Sequence, residues 1–438
     1  MTRYEVVKSV QYRWRAALLC AICLLTVCAF LPTFGNDFQM GWDDQWMVYN
    51  PMTTGYLDWR LLKIIFTTPY HGQWGPLNQF AYTLIFRCFA YSSRAFHVYS
   101  FALHMANVCL VNLIVNRVLT DCSNQTPASV RRIVFITTLL FAIHPLQVET
   151  VAWISASKIL LSSLFYLGAA YALSVFLKRR KWKTYVAALV LYTCSYLSKE
   201  NVLMFPLLVV MLCLMYRIPV KSRLFWMTVV PFAVLALVFG LHLVFMVSGY
   251  SGVVHVETFG VGQRIMLCTS SLMMYVYKWA FPVGLSWMYW LPVMPGSAFP
   301  LWMMLAPLAF AAVCFVMWNW LRKPMVAFPL LFFVIHLLFV IHLLYLPRNA
   351  IMADRYMYLP IIGLNILPAC FLSWCMEYRK SRKWHNAGWG LTCGIALSCL
   401  VLSYHRTGQW HDSEVLREKD HLLYQSNEPQ IIPVNPMQ

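Results

Sequence analysis

The feature that most constrains this chain is the repeated return of apolar runs close to 20 residues long, beginning with 16-AALLCAICLLTVCAFLPTF-34. A helix needs about 20 such residues to cross a bilayer, and in lipid only helices and closed barrels satisfy every backbone N–H and C=O. The chain is 60% hydrophobic and 11% charged, against about 25% charged in a soluble domain. The sequence therefore predicts an all-α polytopic membrane protein. So many further runs follow the first that it reads as a span and not as a cleaved signal peptide, and no small-residue cleavage site stands out.

A net charge of +18 would fit a nucleic-acid binder, but the distribution argues otherwise. Of the 34 basic residues, 21 fall in short clusters at 3–15, 117–132, 178–183, 217–223, 322–323 and 379–383, at alternate ends of the apolar segments. This is the positive-inside pattern. It makes the lipid bilayer, with its anionic lipids, the diffuse partner and leaves no call for nucleic acid. The fourteen cysteines lie in or beside apolar segments, without zinc-like spacing, and read as small membrane hydrophobes.

With the basic loops inside, eleven spans are expected: 16–35, 95–118, 131–145, 157–177, 184–198, 201–216, 224–247, 301–320, 325–346, 357–376 and 386–404. The N-terminus is then inside and the C-terminus outside. Residues 36–93 form a large first outward loop carrying surface helices at 57–66 and 76–91. Residues 248–300 form a second outward loop. Within it 264–282 is apolar but carries Arg264 and Lys278, and reads as a re-entrant or surface helix. The membrane domain is 1–404, and 405–438 is a short polar outward tail.

On this path the chemistry-bearing groups gather on one side: Asp43, Asp44, Glu149, Lys158, Lys199, Glu200, His255, Glu257, Arg348, Asp354 and Arg355. Four stretches carry most of them. In 42-WDD-44, adjacent carboxylates repel, and low dielectric strengthens the repulsion. That suits one of them to accept a proton from a hydroxyl; a solvated loop or a helix N-cap is the bland alternative. In 144-HPLQVETVAWISASK-158, His144, Glu149 and Lys158 share a short loop, where His144 could equally cap a helix end and Lys158 snorkel. In 198-SKEN-201, Lys199 is either a cation for a phosphate or half of a neutral pair with Glu200 that eases a turn. In 347-PRNAIMADRYMYLP-360, Arg348 and Arg355 offer bidentate phosphate recognition, unless Asp354 and Arg355 form a local salt bridge. No HExxH, P-loop or GxSxG motif and no pair of CxxC motifs occurs. Nothing requires a tightly held metal, although an acidic pair can recruit a divalent cation such as Mg²⁺ or Mn²⁺.

At these residues the chain resembles a known family, the membrane domain of TMTC-type O-mannosyltransferases and their bacterial relatives, within the GT-C glycosyltransferases. The resemblance runs in order through WDDQWMVYNP, GPLNQFAYTL, HPLQVETVAWISASK, SKENVLMFPLL, WAFPVGLSWMYWLP, MADRYMYLP and QWHDSEVL. It implies a GT-C fold, a polyprenyl-phosphate-linked sugar as donor, and an acceptor hydroxyl on a protein Ser or Thr, an envelope glycan or a lipid. It implies that Asp43 is the base and that Asp44 supports it. Lys199 and Arg355 become donor-phosphate ligands, with Lys158 and Arg348 as further candidates for that role, and Trp42 and Trp46 hold the acids at the interface. The expected location is a bacterial inner membrane with the site facing the periplasm; the alternative is the endoplasmic reticulum membrane with the site facing the lumen. The chain departs from the family pattern at Gly75, where relatives often carry Arg, at Gln147 (often His) and at Ile159 (often Asp). A transporter or flippase of an amphipathic substrate, and a non-catalytic subunit of a glycosylation complex, are the competing classes. Gathering of ionisable groups on one face, away from the midplane, favours the enzyme.

Overall fold

A computed structural model describes residues 3–250, 259–343, 350–378 and 381–424. The chain is mostly helical. The helices run α1 (Arg3–Phe30), α2 (Asp44–Met47), α3 (Pro51–Thr54), α4 (Trp59–Thr67), α5 (Pro76–Phe89), α6 (Ser93–Cys122), α7 (Pro127–Ile143), α8 (Val148–Ala152), α9 (Ser157–Arg179) and α10 (Trp182–Ser198). They continue as α11 (Phe205–Met215), α12 (Arg223–Tyr250), α13 (Val261–Ala280), α14 (Leu301–Val316), α15 (Trp318–Leu321), α16 (Pro324–Leu337), α17 (Ile361–Glu377), α18 (Arg382–Gly408) and α19 (Ser413–Tyr424).

Each of the eleven anticipated segments contains a helix. Five are long and apolar enough to cross a membrane, or six if α7 and α8, which meet at 52°, form one bent span. The protein is therefore a helical, membrane-embedded one. α11, α14, α16 and α17 are apolar but only 10–17 residues long, and α13 is not among the helices that qualify. On α12, Leu237, Leu241 and Val244 stand exposed at helical spacing, an apolar stripe suited to lipid.

Local sequence sets the boundaries. Proline opens α5, α7, α11 and α16, where its missing N–H costs nothing. Asn50, Asp58 and Thr126 cap α3, α4 and α7 by accepting backbone N–H bonds. Pro145 follows the end of α7, and a second break at Trp153 separates α8 from α9. The breaks free backbone groups that would otherwise be consumed within a helix, and the site is built on them.

Three features go beyond the sequence reading. The all-α expectation gives way, among the described residues, at an antiparallel ladder of β1 (Tyr289–Trp290) and β2 (Ala350–Met352), which ties the 281–300 stretch to the segment before Asp354. The helices anticipated in the first outward loop are present as α4 and α5. However, α5 does more than lie on a surface: Tyr82 is fully buried, donates to the Ile154 carbonyl at 2.7 Å and hydrogen-bonds Ser157 Oγ at 2.7 Å. Finally, the segment read as a polar tail carries α19, whose start Asp412 caps by accepting from the Glu414 and Val415 amides at 2.9 Å. Trp410 and Leu416 are buried. This segment docks on residues 36–41. The Asn36 side chain donates to the Thr407 carbonyl at 3.1 Å, Gln39 Nε2 to the Trp410 carbonyl at 2.9 Å, and the Gly41 amide to Ser413 Oγ at 3.0 Å.

Candidate functional site

The two adjacent acids have opposite environments. Asp44, at the start of the short helix α2, is wholly buried. One oxygen accepts from the Gln39 amide at 2.8 Å; the other accepts from the Ser155 amide at 2.9 Å and from the Ser155 hydroxyl. The Ser155 amide is available because the helix breaks at Trp153. Burial pushes the Asp44 carboxyl up to about 6, against the lowering effect of these bonds, and Asp43 adds a further upward push. Asp43 is half-buried. It occupies the N-cap position of α2, yet its side chain caps nothing and bonds to none of the described residues.

Cations face Asp43. Lys158, in the first turn of α9, feels the charges of Lys199, Asp43, Glu200 and Arg355, so these groups form one electrostatic cluster. Within it the partners differ. Glu149 is buried; its Oε1 forms an ion pair with the Arg355 guanidinium and its Oε2 accepts the Arg355 amide at 2.9 Å. Burial works against the Arg355 charge, but Glu149 raises its affinity for the proton above the ordinary value. The guanidinium lies 5.4 Å from the Trp153 ring and 5.0 Å from that of Tyr356, within cation–π range. Lys199 pairs with Glu200 at 3.2 Å. Burial works to raise the Glu200 carboxyl, yet Lys199 leads a set of interactions that holds it below the ordinary value. Lys158 donates only to the neutral Gln73 Oε1. Among the described residues it is thus the cation of this cluster without a carboxylate in ion-pair contact. Two indole N–H groups here, those of Trp42 and Trp153, are buried without an acceptor.

Two anticipated residues, His144 and Asp354, make their bonds outside this cluster. His144 works structurally: Nδ1 accepts the Leu146 amide at 3.2 Å and caps the turn after α7, while Nε2 faces the Trp279 carbonyl at 3.1 Å. Asp354 does not pair with Arg355. It is buried and accepts from the Tyr289 hydroxyl at 2.8 Å; burial and the charge of Glu149 raise its pKa. Trp42 packs edge-on against Trp287. Arg348, His255 and Glu257 lie outside the described residues. At the family departure, a Cβ on Gly75 would come within 2.8 Å of the Ser198 carbonyl. The bare glycine lets the loop close onto the turn that carries Lys199. Gln147 is buried. Ile159 is buried in the core beside Lys158.

Sequence reasoning passed over the uncharged residues that hold the charged ones: Gln39, Gln73 and Ser155. It also missed a buried polar network. Tyr358 bonds His104 Nδ1 at 2.8 Å and accepts from Asn107 Nδ2 at 3.1 Å, seating the Arg355 turn against α6. The signal available for it was the spacing of His104 and Asn107, three apart on one face of an otherwise apolar helix. Among the described residues no group of three or more His, Cys, Asp or Glu side chains is placed to hold a metal ion. Compared with protein families and with curated proteins, the chain matches no family model and no curated sequence.

Proposed function

We propose that this protein is a membrane glycosyltransferase of the GT-C type, with eleven crossings. It transfers a sugar from a polyprenyl-phosphate donor to an acceptor hydroxyl of a protein, glycan or lipid on the outer face, in a bacterial inner membrane. One observation carries the reading: a half-exposed Asp43 carboxylate, unbonded among the described residues, stands beside a fully locked Asp44 and faces a lysine with no described carboxylate in ion-pair contact. In the reaction Asp43 takes the proton of the acceptor hydroxyl as its oxygen forms a bond to the anomeric carbon. The bond from that carbon to the phosphate oxygen breaks, and the lipid phosphate leaves with the electron pair. Lys158 is the cation best placed to meet the charge on that phosphate, because Lys199 and Arg355 already hold carboxylates. This differs from the roles that the family resemblance implies, in which Lys199 and Arg355 meet it. The indole N–H groups of Trp42 and Trp153, which have no acceptor among the described residues, suit sugar hydroxyls.

The test is to incubate purified protein with a panel of polyprenyl-phosphate sugars and candidate acceptors and to follow release of lipid phosphate. Release that depends on one sugar and on Asp43 is expected. A flippase would move the lipid-linked sugar across a vesicle without releasing phosphate. That outcome, or no release from any donor, would overturn the reading.

A further inference from the structure

A cavity of about 270 Å³ lies between α6, α9, α11, α16 and α17. It is remote from the acids: Lys158 opens α9 and the cavity starts at Tyr166, about 12 Å further along at 1.5 Å per residue. It runs toward the basic ends of α6 and α11 and is walled almost entirely by aliphatic and aromatic side chains. An apolar cavity of about 150 Å³ takes up a benzene ring, so this one has room for a longer hydrocarbon.

Its rim carries a charge. Arg217 lines the mouth and is exposed, and among the described residues no carboxylate pairs with it. Its backbone is left-handed, with φ of 56°. The Arg217 amide bonds the Leu214 carbonyl at 3.0 Å and the Ile218 amide the Cys213 carbonyl at 2.9 Å, closing α11 with a turn in which glycine is the usual residue. The chain thus accepts backbone strain to hold a guanidinium at this mouth. Lys323 stands beside Pro324 of the lining, over the Trp320 ring at 4.3 Å.

An apolar cavity capped by a free cation matches one kind of ligand, an amphiphile with a hydrocarbon tail and an anionic head. We propose that the cavity binds an anionic phospholipid of the leaflet that the basic loops face, one acyl chain inside and its phosphate on Arg217. Basic pockets between membrane helices on that side favour such head groups. A polyprenyl donor fits less well, because its phosphate belongs with Lys158 at the opposite end. The preference for a phospholipid over a polyprenyl donor rests on the catalytic proposal; the cavity and its cation do not.

The test uses full-length protein in nanodiscs of phosphatidylglycerol and phosphatidylcholine in equal parts. Lipid retained after detergent extraction is counted by native mass spectrometry. The wild type should retain phosphatidylglycerol about ten-fold over phosphatidylcholine. Arg217→Gln should bring that preference close to one. Ala170→Leu, which fills the cavity, should remove retention of both lipids at an unchanged unfolding temperature; Ile366→Phe replaces it if the first variant does not fold. Equal retention by the wild type, a preference that survives either change, or a polyprenyl phosphate retained in place of the phospholipid would overturn the proposal.

Discussion

The two ends of the helix bundle hold their charges in different ways. Where α7 breaks and α9 and α17 begin, Asp44, Glu149 and Asp354 are buried, and backbone amides or hydroxyls reach each of them. At the other ends of the same helices the pairs are local or wet. Arg117 and Lys178 both lie 3.6 Å from Asp121, and Arg132 pairs with Glu377, whose side chain is 41% exposed. The residue types are the same. What differs is desolvation, which makes each charge at the first end depend on a specific partner and leaves the second end screened by water and salt.

The sharpest way to break that contrast is Asp43→Asn, because Asp43 is the exception at the buried end, an acid with no bonded partner among the described residues. Turnover should fall by a factor of roughly 10²–10⁴, with the unfolding temperature unchanged; a helix cap would keep its activity as Asn. Arg355→Ala comes next. It strands Glu149 as a buried charge, and thermal unfolding in detergent should show a loss of about 3–5 kcal/mol. A loss no larger than at a surface pair would place Glu149 in contact with water.

Asp44 sharpens the contrast through pH. Its folded pKa of about 6 lies above the ordinary 3.8, so the folded chain binds this proton more tightly than the unfolded one. Its contribution to stability is full below the unfolded value and is lost as pH rises through about 6. Relative to Asp44→Asn, the wild type should therefore gain up to about 3 kcal/mol between pH 7.5 and 4. A pH-independent difference would mean that the carboxylate is hydrated. For donor affinity, Lys158→Met should cost about 1.5–3 kcal/mol, and Lys199→Met should cost less because Lys199 is already engaged by Glu200. Equal losses would mean that the ion pair with Glu200 opens on binding. The smallest effect belongs to the other end. Glu377→Gln should change stability by less than about 1 kcal/mol, and high salt should erase the difference.

The charged members of the site were legible because an ionisable group in so apolar a chain is conspicuous. Asp43, Asp44, Glu149, Lys158, Lys199 and Arg355 were all singled out, and the structure brings them together. Their pairing was not legible. Glu149 and Arg355 are 206 residues apart and Asp44 and Ser155 111 apart, and nothing local encodes such contacts. The adjacent pair Asp354–Arg355 misled for a related reason. In a 3₁₀ turn, consecutive side chains point about 120° apart, so neighbours in sequence enter different polar nests. Apolar runs located the helices well. A hydropathy window counts segments without measuring how far each helix runs, and several of these stop short of a span.

The docking of the 407–413 segment onto residues 36–41 has a consequence for how the protein is made. Gln39, which supplies an amide to Asp44, is held by the Trp410 carbonyl 371 positions later. At roughly 5–20 residues per second of synthesis, that interval is about 20–70 s. Throughout it the acid pair has emerged from the ribosome without the strap that fixes its geometry. The nascent chain therefore lacks that fixed geometry until nearly all of its helices have been made.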